Sequence, residues 1–162
     1  LDVVEAGGRA IGAVAGDIVL AHREGVRRLR PWVEVAAAPA EVVIVSAPLP
    51  VSATLARAAR LVPPGALLLR EGGVLIVAAE CPGGAGEDPA AEESAWAGVR
   101  RYLPAGATVL LVSSLDEAAA VQVRARRAPT LQAALDEAKR LTGPGARVLV
   151  LPDATDLVPR PE

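Results

Sequence analysis

A chain of 162 residues is long enough for one domain with a buried core. Apolar residues make up 52% of it while aromatics are 2% and Phe and Met are absent, so the core has to be built from Val, Leu, Ile and Ala. Seventeen basic against 19 acidic residues give a net charge of −2, which argues against a dedicated nucleic-acid binder and against a polybasic membrane-surface protein.

The chain opens on LDVVEAGGRA, which carries two acidic side chains and no basic, apolar leader, so no signal peptide is expected. The missing methionine suggests a processed product or a piece of a longer chain. Short apolar stretches at 2–5 and 10–15 flank Gly7-Gly8 and predict a hairpin. Asp17 then caps a helical pattern in which Ile18, Ala21, His22, Val26 and Leu29 form the apolar stripe and Pro31 ends the helix. Trp32 to Val35 is expected as a strand.

From residue 41 the texture changes. Glu41–Ser46 (EVVIVS), Gly73–Ala79 (GVLIVAA), Thr108–Val112 (TVLLV) and Arg147–Leu151 (RVLVL) are short, continuously apolar and rich in β-branched residues. Such runs fit strands buried on both faces of a parallel sheet. Helical stretches at 52–62, about 64–71, 90–102 and 130–142 separate them. The alternation predicts an α/β fold: a Rossmann-like, open, mostly parallel sheet with helices on both faces, plus the N-terminal hairpin. Val121–Arg124 is expected as a short extra strand. Thr130 and Gly143 bracket the last helix as N-cap and C′ residue. Its apolar stripe is Leu131, Ala134, Leu135, Ala138 and Leu141, with Lys139 on the other side. The tail from Pro152 to Glu162 holds three prolines and is expected to run over the surface. One domain is therefore expected over 1–162, with a hairpin and helix (1–36), an α/β core (41–152) and a tail (153–162). No run of about 18 uncharged apolar residues is present, so no membrane span is expected, and the setting reads as cytoplasmic.

Ligands of open parallel sheets bind beyond the carboxyl ends of the strands. That rule selects Ser46, Glu80, Cys81, Ser113, Ser114 and Asp153. Gly83, Gly84 and Gly86 after the second core strand permit close backbone approach, and their N–H groups could hold an anion. Glu80 and Asp88 would repel a phosphate there, and no Walker lysine or ordered G-x-G-x-x-G accompanies the glycines. On the 52–62 helix, Ser52 is the expected N-cap. Leu55, Ala58, Ala59 and Val62 form its buried stripe, while Arg57 and Arg60 share the opposite face. Two guanidiniums beside a cleft would clamp a carboxylate; the alternative is a solvated basic face. His22 reads as a core or interface histidine, and no second histidine exists to make an acid–base pair. One His and one Cys cannot build a Cys/His zinc site, so no metal site is expected in this chain. Sixteen Arg against the single Lys139, with no Asn, point to a GC-rich, thermophilic source.

Four stretches in this order resemble the C-terminal half of the nickel-pincer lactate racemase family. They are AGDIVLAHREGV, EVVIVSAPLP, REGGVLIVAAECPGGAG and RAPTLQAAL…GPGARVLVLPDA, and together they run through nearly the whole chain. The resemblance implies a divergent member of a family that racemises lactate or related 2-hydroxy acids by hydride transfer to a nickel-pincer nucleotide. It places the tethering lysine, the metal-binding histidine and the two base histidines in an N-terminal catalytic domain, which would be the partner of this chain. In the family a helix after a proline turn carries Tyr-Gln-x-x-Lys toward the substrate. Here Pro50 matches the turn, Ser52 stands where Asp is usual, and Ala56, Arg57 and Arg60 stand for Tyr, Gln and Lys. By resemblance, Arg57, Arg60 and Ser52 are the substrate-binding candidates, and Ser46, Glu80, Cys81, Gly84, Gly86 and Ser113 line the cleft. No catalytic residue is assigned, so the chain alone is expected to be silent. The competing reading is a non-catalytic α/β module that binds a small anion or a protein. A methyltransferase reading needs an upstream glycine-rich nucleotide loop, which Gly7-Gly8 and Gly16 do not supply.

Overall fold

The computed structural model describes residues 1–86 and 89–162, with the backbone alone for residues 89, 91 and 92. The glycine-loop reading at Asp88 lies outside the described residues. Strands β1 (Asp2–Ala6) and β2 (Arg9–Val14) form the expected antiparallel hairpin, turned at Gly7 and Gly8, both with positive φ. Helix α1 (Ile18–Val33) starts at Asp17, whose carboxylate accepts from the N–H groups of Val19 and Leu20. Gly25 is buried on the hairpin against Val4 and Val14. This face is rotated from the expected stripe: Ile18, His22 and Val26 are exposed, so the histidine is not a core residue. Pro31 lies inside the helix instead of ending it. It sits in the last turn, where a missing N–H forfeits a single hydrogen bond, and the Glu34 N–H still donates to the Arg30 carbonyl. The strand expected at Trp32–Val35 is therefore displaced to β3 (Glu34–Ala37).

The core follows. β4 (Ala40–Ser46) leads through a 3-10 turn at Val51–Ala53 into α2 (Leu55–Ala58), a second 3-10 turn at Ala59–Leu61, and α3 (Val62–Leu67). The helix expected over 52–62 is thus broken into short pieces, and the one expected over about 64–71 ends at Leu67, with residues 69–71 already in the next strand. Pro63 and Pro64 lack N–H groups and fit a first helical turn, so a new helix starts there. Leu55, Ala58, Ala59 and Val62 are buried as their spacing predicts. Ser52 is not the N-cap: the Thr54 hydroxyl accepts from the Arg57 N–H, and Ser52 is buried one turn earlier. β5 (Leu69–Ala78), α4 (Pro89–Arg100) and β6 (Thr108–Val112) come next. Where a strand was expected at Val121–Arg124, the chain forms α5 (Glu117–Gln122), capped by Asp116 over an alanine run. β7 (Arg126–Ala128) follows it.

Helix α6 (Leu131–Thr142) has the expected ends. The Thr130 hydroxyl accepts from the Ala133 N–H, and Gly143 has φ +95° and donates to Lys139 O. Ala134 and Ala138 are buried, whereas Leu131 and Leu141 at its ends stay exposed. β8 (Val148–Leu151) completes the sheet, and β9 (Val158–Pro161) is a strand where a surface tail was expected.

The main sheet is wholly parallel in the order β7-β6-β5-β4-β8. On one face α2, α3, α4 and α5 cover Val43, Val45, Leu75, Val77, Val109 and Leu111; on the other α6 covers Val42, Ile44, Val74, Ile76 and Leu110. The Rossmann-like prediction holds. Separately, β9 pairs in parallel with β3 and ties the N-terminal hairpin and helix to the core. Among the described residues no helix is long and apolar enough to cross a membrane.

Candidate functional site

Strand order reverses at β4: β5, β6 and β7 lie successively on one side and β8 on the other. The carboxyl ends there carry Ser46, Glu80 and Cys81, Ser113 and Ser114, and Asp153, as the sequence predicts for one edge. Their loops are stitched together. The Ala154 N–H donates to Ser46 O (2.9 Å), so the gap between β4 and β8 is bridged. The Ser114 N–H and hydroxyl both donate to Glu80 O, at 3.0 and 2.6 Å. Ser113 Oγ accepts from the Leu115 N–H.

The glycine loop acts as a latch. Cys81 has φ +55° and is buried; its N–H donates to Ser52 O, and Gly83 N–H donates to Ala53 O at 2.8 Å. A side chain at Gly83 would stand 3.0 Å from that carbonyl, so glycine is what lets the loop close. Gly84 N–H turns back to Cys81 O. In return the carbonyls of Gly84 and Ala85 accept from Leu55 and Ala56 at the start of α2. The N–H groups of Gly83 and Gly84, which an anion cradle would require, are thus already donated inside the protein. Gly86 follows, half-buried.

Arg57 and Arg60 are both exposed but do not converge. Arg57 Nη1 reaches back to Pro50 O at 3.4 Å. Arg60 lines a groove of about 320 Å³ with Pro63, Pro64, Leu67, Thr155, Leu157 and Val158, between α3 and the segment that follows β8. One guanidinium over an apolar floor can hold a carboxylate with a small apolar body. Thr155 and Leu157 were not singled out by the sequence reading, because nothing in a short segment between prolines signals a wall.

The reactive inventory is thin. His22 is exposed on α1, and Lys139 is exposed in the last turn of α6, at the amino end of the sheet. Among the described residues no three His, Cys, Asp or Glu side chains group to hold a metal ion. This donor set does not fit a tethered nickel cofactor.

A solved structure of the lactate racemase apoprotein from Thermoanaerobacterium thermosaccharolyticum matches this chain with a TM-score of 0.72 at 21% identity. The fold is lactate-racemase-like. The match covers 86% of this chain and 40% of that one, so the chain spans less than half the length of its structural neighbour. No family model and no curated protein matches the sequence.

Proposed function

We propose that this chain is the C-terminal, cleft-forming domain of a lactate-racemase-like isomerase acting on a small 2-hydroxy acid. The carrying observation is the likeness over 86% of this chain to 40% of a lactate racemase. In this reading the nickel-pincer nucleotide and the acid–base histidines belong to an N-terminal catalytic domain of the same protein. The lone, exposed His22 and the remote Lys139 support that division. So do the apolar side chains left without cover: Ile18 is 83% exposed, Leu20 and Trp32 64%, and Val150 on the edge strand 55%. A second domain would bury such surface.

This domain contributes shape and positive charge. Of the three substrate-binding candidates, Arg60 is best placed, because it stands in a groove; Arg57 steadies the Pro50 turn, and Ser52 lies under the glycine loop. Supplied with nickel-loaded cofactor and lactate, the isolated chain is expected to give no racemisation, and measurable turnover would overturn the division of labour. In the complete protein, Arg60→Ala is expected to raise KM for the hydroxy acid at least tenfold, in line with the loss of a charge-assisted contact. An unchanged KM would remove Arg60 from the site.

A further inference from the structure

A second concavity lies away from the carboxyl edge, between α4 and the end of α5. Glu93, Trp96, Ala97, Arg100, Gln122, Val123 and Arg124 line it. Arg100 is half-buried, and its Nη1 donates to the carbonyls of Val123 and Arg124, both at 3.1 Å. These bonds occupy one nitrogen of its fork and fasten it to the chain just past α5. Arg124 stands opposite in the left-handed region at φ +54°, held there by its N–H on Val121 O. Among the described residues neither guanidinium has a carboxylate within ion-pair distance; Glu93 shares the cavity without pairing to either.

We propose that Arg100 and Arg124 form a binding site for a small, doubly charged oxyanion such as phosphate or a short dicarboxylate. The cavity of about 190 Å³ has room for such an ion. Two like charges sharing a half-buried hollow repel, and an anion between them turns that repulsion into two charge-assisted contacts. Burial, and then the Arg124 charge, hold the Arg100 guanidinium below its ordinary pKa, the direction expected where counter-charge is missing. Trp96 and Ala97 supply apolar parts of the cavity lining. The site does not depend on the racemase reading.

Calorimetric titration of the full chain with inorganic phosphate, and separately with malonate, against chloride at matched ionic strength, tests the proposal. Saturable binding of at least one of the two is expected, and which one binds tighter separates phosphate from carboxylate chemistry. Arg124→Gly is expected to weaken it at least tenfold, with a thermal midpoint unchanged or raised, because glycine accepts the left-handed backbone. Glu93→Gln is expected to tighten binding by removing the Glu93 carboxylate from the cavity wall, and it keeps the test decisive should the glycine variant fold poorly. Arg60→Ala is expected to leave phosphate affinity unchanged. Absence of saturable binding of both anions, equal affinity in the glycine variant, or no gain in Glu93→Gln would each overturn the assignment. Loss of binding in Arg60→Ala would move the anion to the other groove and overturn it as well.

Discussion

Two glycines in helix and strand carry opposite expectations. A Cβ at Gly73 would lie 2.7 Å from Glu41 O and 2.8 Å from Arg70 O, both backbone atoms that cannot swing aside. This is where β5 rejoins β4 after a register shift, so the close approach is part of the sheet. Gly73→Ala should cost about 1–3 kcal/mol, the usual range for overpacking. Gly98 in α4 has nothing within 4 Å of its would-be Cβ, and Gly98→Ala should gain about 0.5–1 kcal/mol from helix propensity. Denaturant melts of the pair would show shifts of opposite sign. Glu24 offers a pH test. Hydrogen bonds from Arg27 and Arg28, both at 2.7 Å, pull its carboxyl from the ordinary 4.5 to about 2. A carboxyl depressed in the folded state lends stability that is complete above its unfolded value and disappears as pH falls through the folded one. The thermal midpoint should therefore fall between about pH 4.5 and pH 2, and the fall should be shallower in Glu24→Gln.

At the scale of elements, a polar contact inside the core joins α2 to α4. The buried Trp96 donates its Nε1–H to Leu55 O at 2.8 Å. Trp96→Phe would leave that carbonyl without its donor, at a cost of about 1–3 kcal/mol, readable as a lower unfolding midpoint. The same elements show what a sequence can tell. The four core strands were legible because burial on both faces leaves no polar residue to confuse the period, and α6 because Thr130 and Gly143 mark both ends. Helix α5 was missed although its signal existed: Asp116 as cap, Glu117 in the first turn and three alanines. The β-branched Val121 and Val123 equally fit a strand, so the local pattern is ambiguous. α1 was placed but rotated, because which side faces the hairpin is decided by Gly25, a residue with no hydrophobic weight. Of the candidate site, the carboxyl-edge residues were legible from strand ends alone. The closure of the glycine loop on α2 was not, since it rests on carbonyls that no side chain announces. The pairing of Arg100 with Arg124 was hidden for a similar reason: they sit on different elements with a strand between them.

At the scale of the molecule, the N-terminal hairpin and helix meet the core largely through one short parallel pair. Glu34 to Ala37 runs beside Val158 to Pro161, and the Glu162 N–H donates to Ala37 O. Prolines in a strand usually forbid pairing, which is why the tail read as surface chain. Here Pro159 and Pro161 alternate with the residues whose N–H groups face β3, so their missing donors point outward. The pair is assisted by Leu29 and Val33 of α1, which line a hollow with Thr155, Asp156 and Val158. Removing Leu157–Glu162 should therefore separate two units of different stability. The five-stranded sheet keeps its own two-sided core, whereas the hairpin and α1 bury little beyond Val4, Val14 and Gly25. In the shortened chain, backbone amides of β1, β2 and α1 should exchange with solvent far faster while those of β4, β5 and β6 stay protected. The 162-residue chain should protect both sets together. Uniform loss of protection across the sheet would mean that β9 supports the core itself and does not serve as a strap to the N-terminal unit.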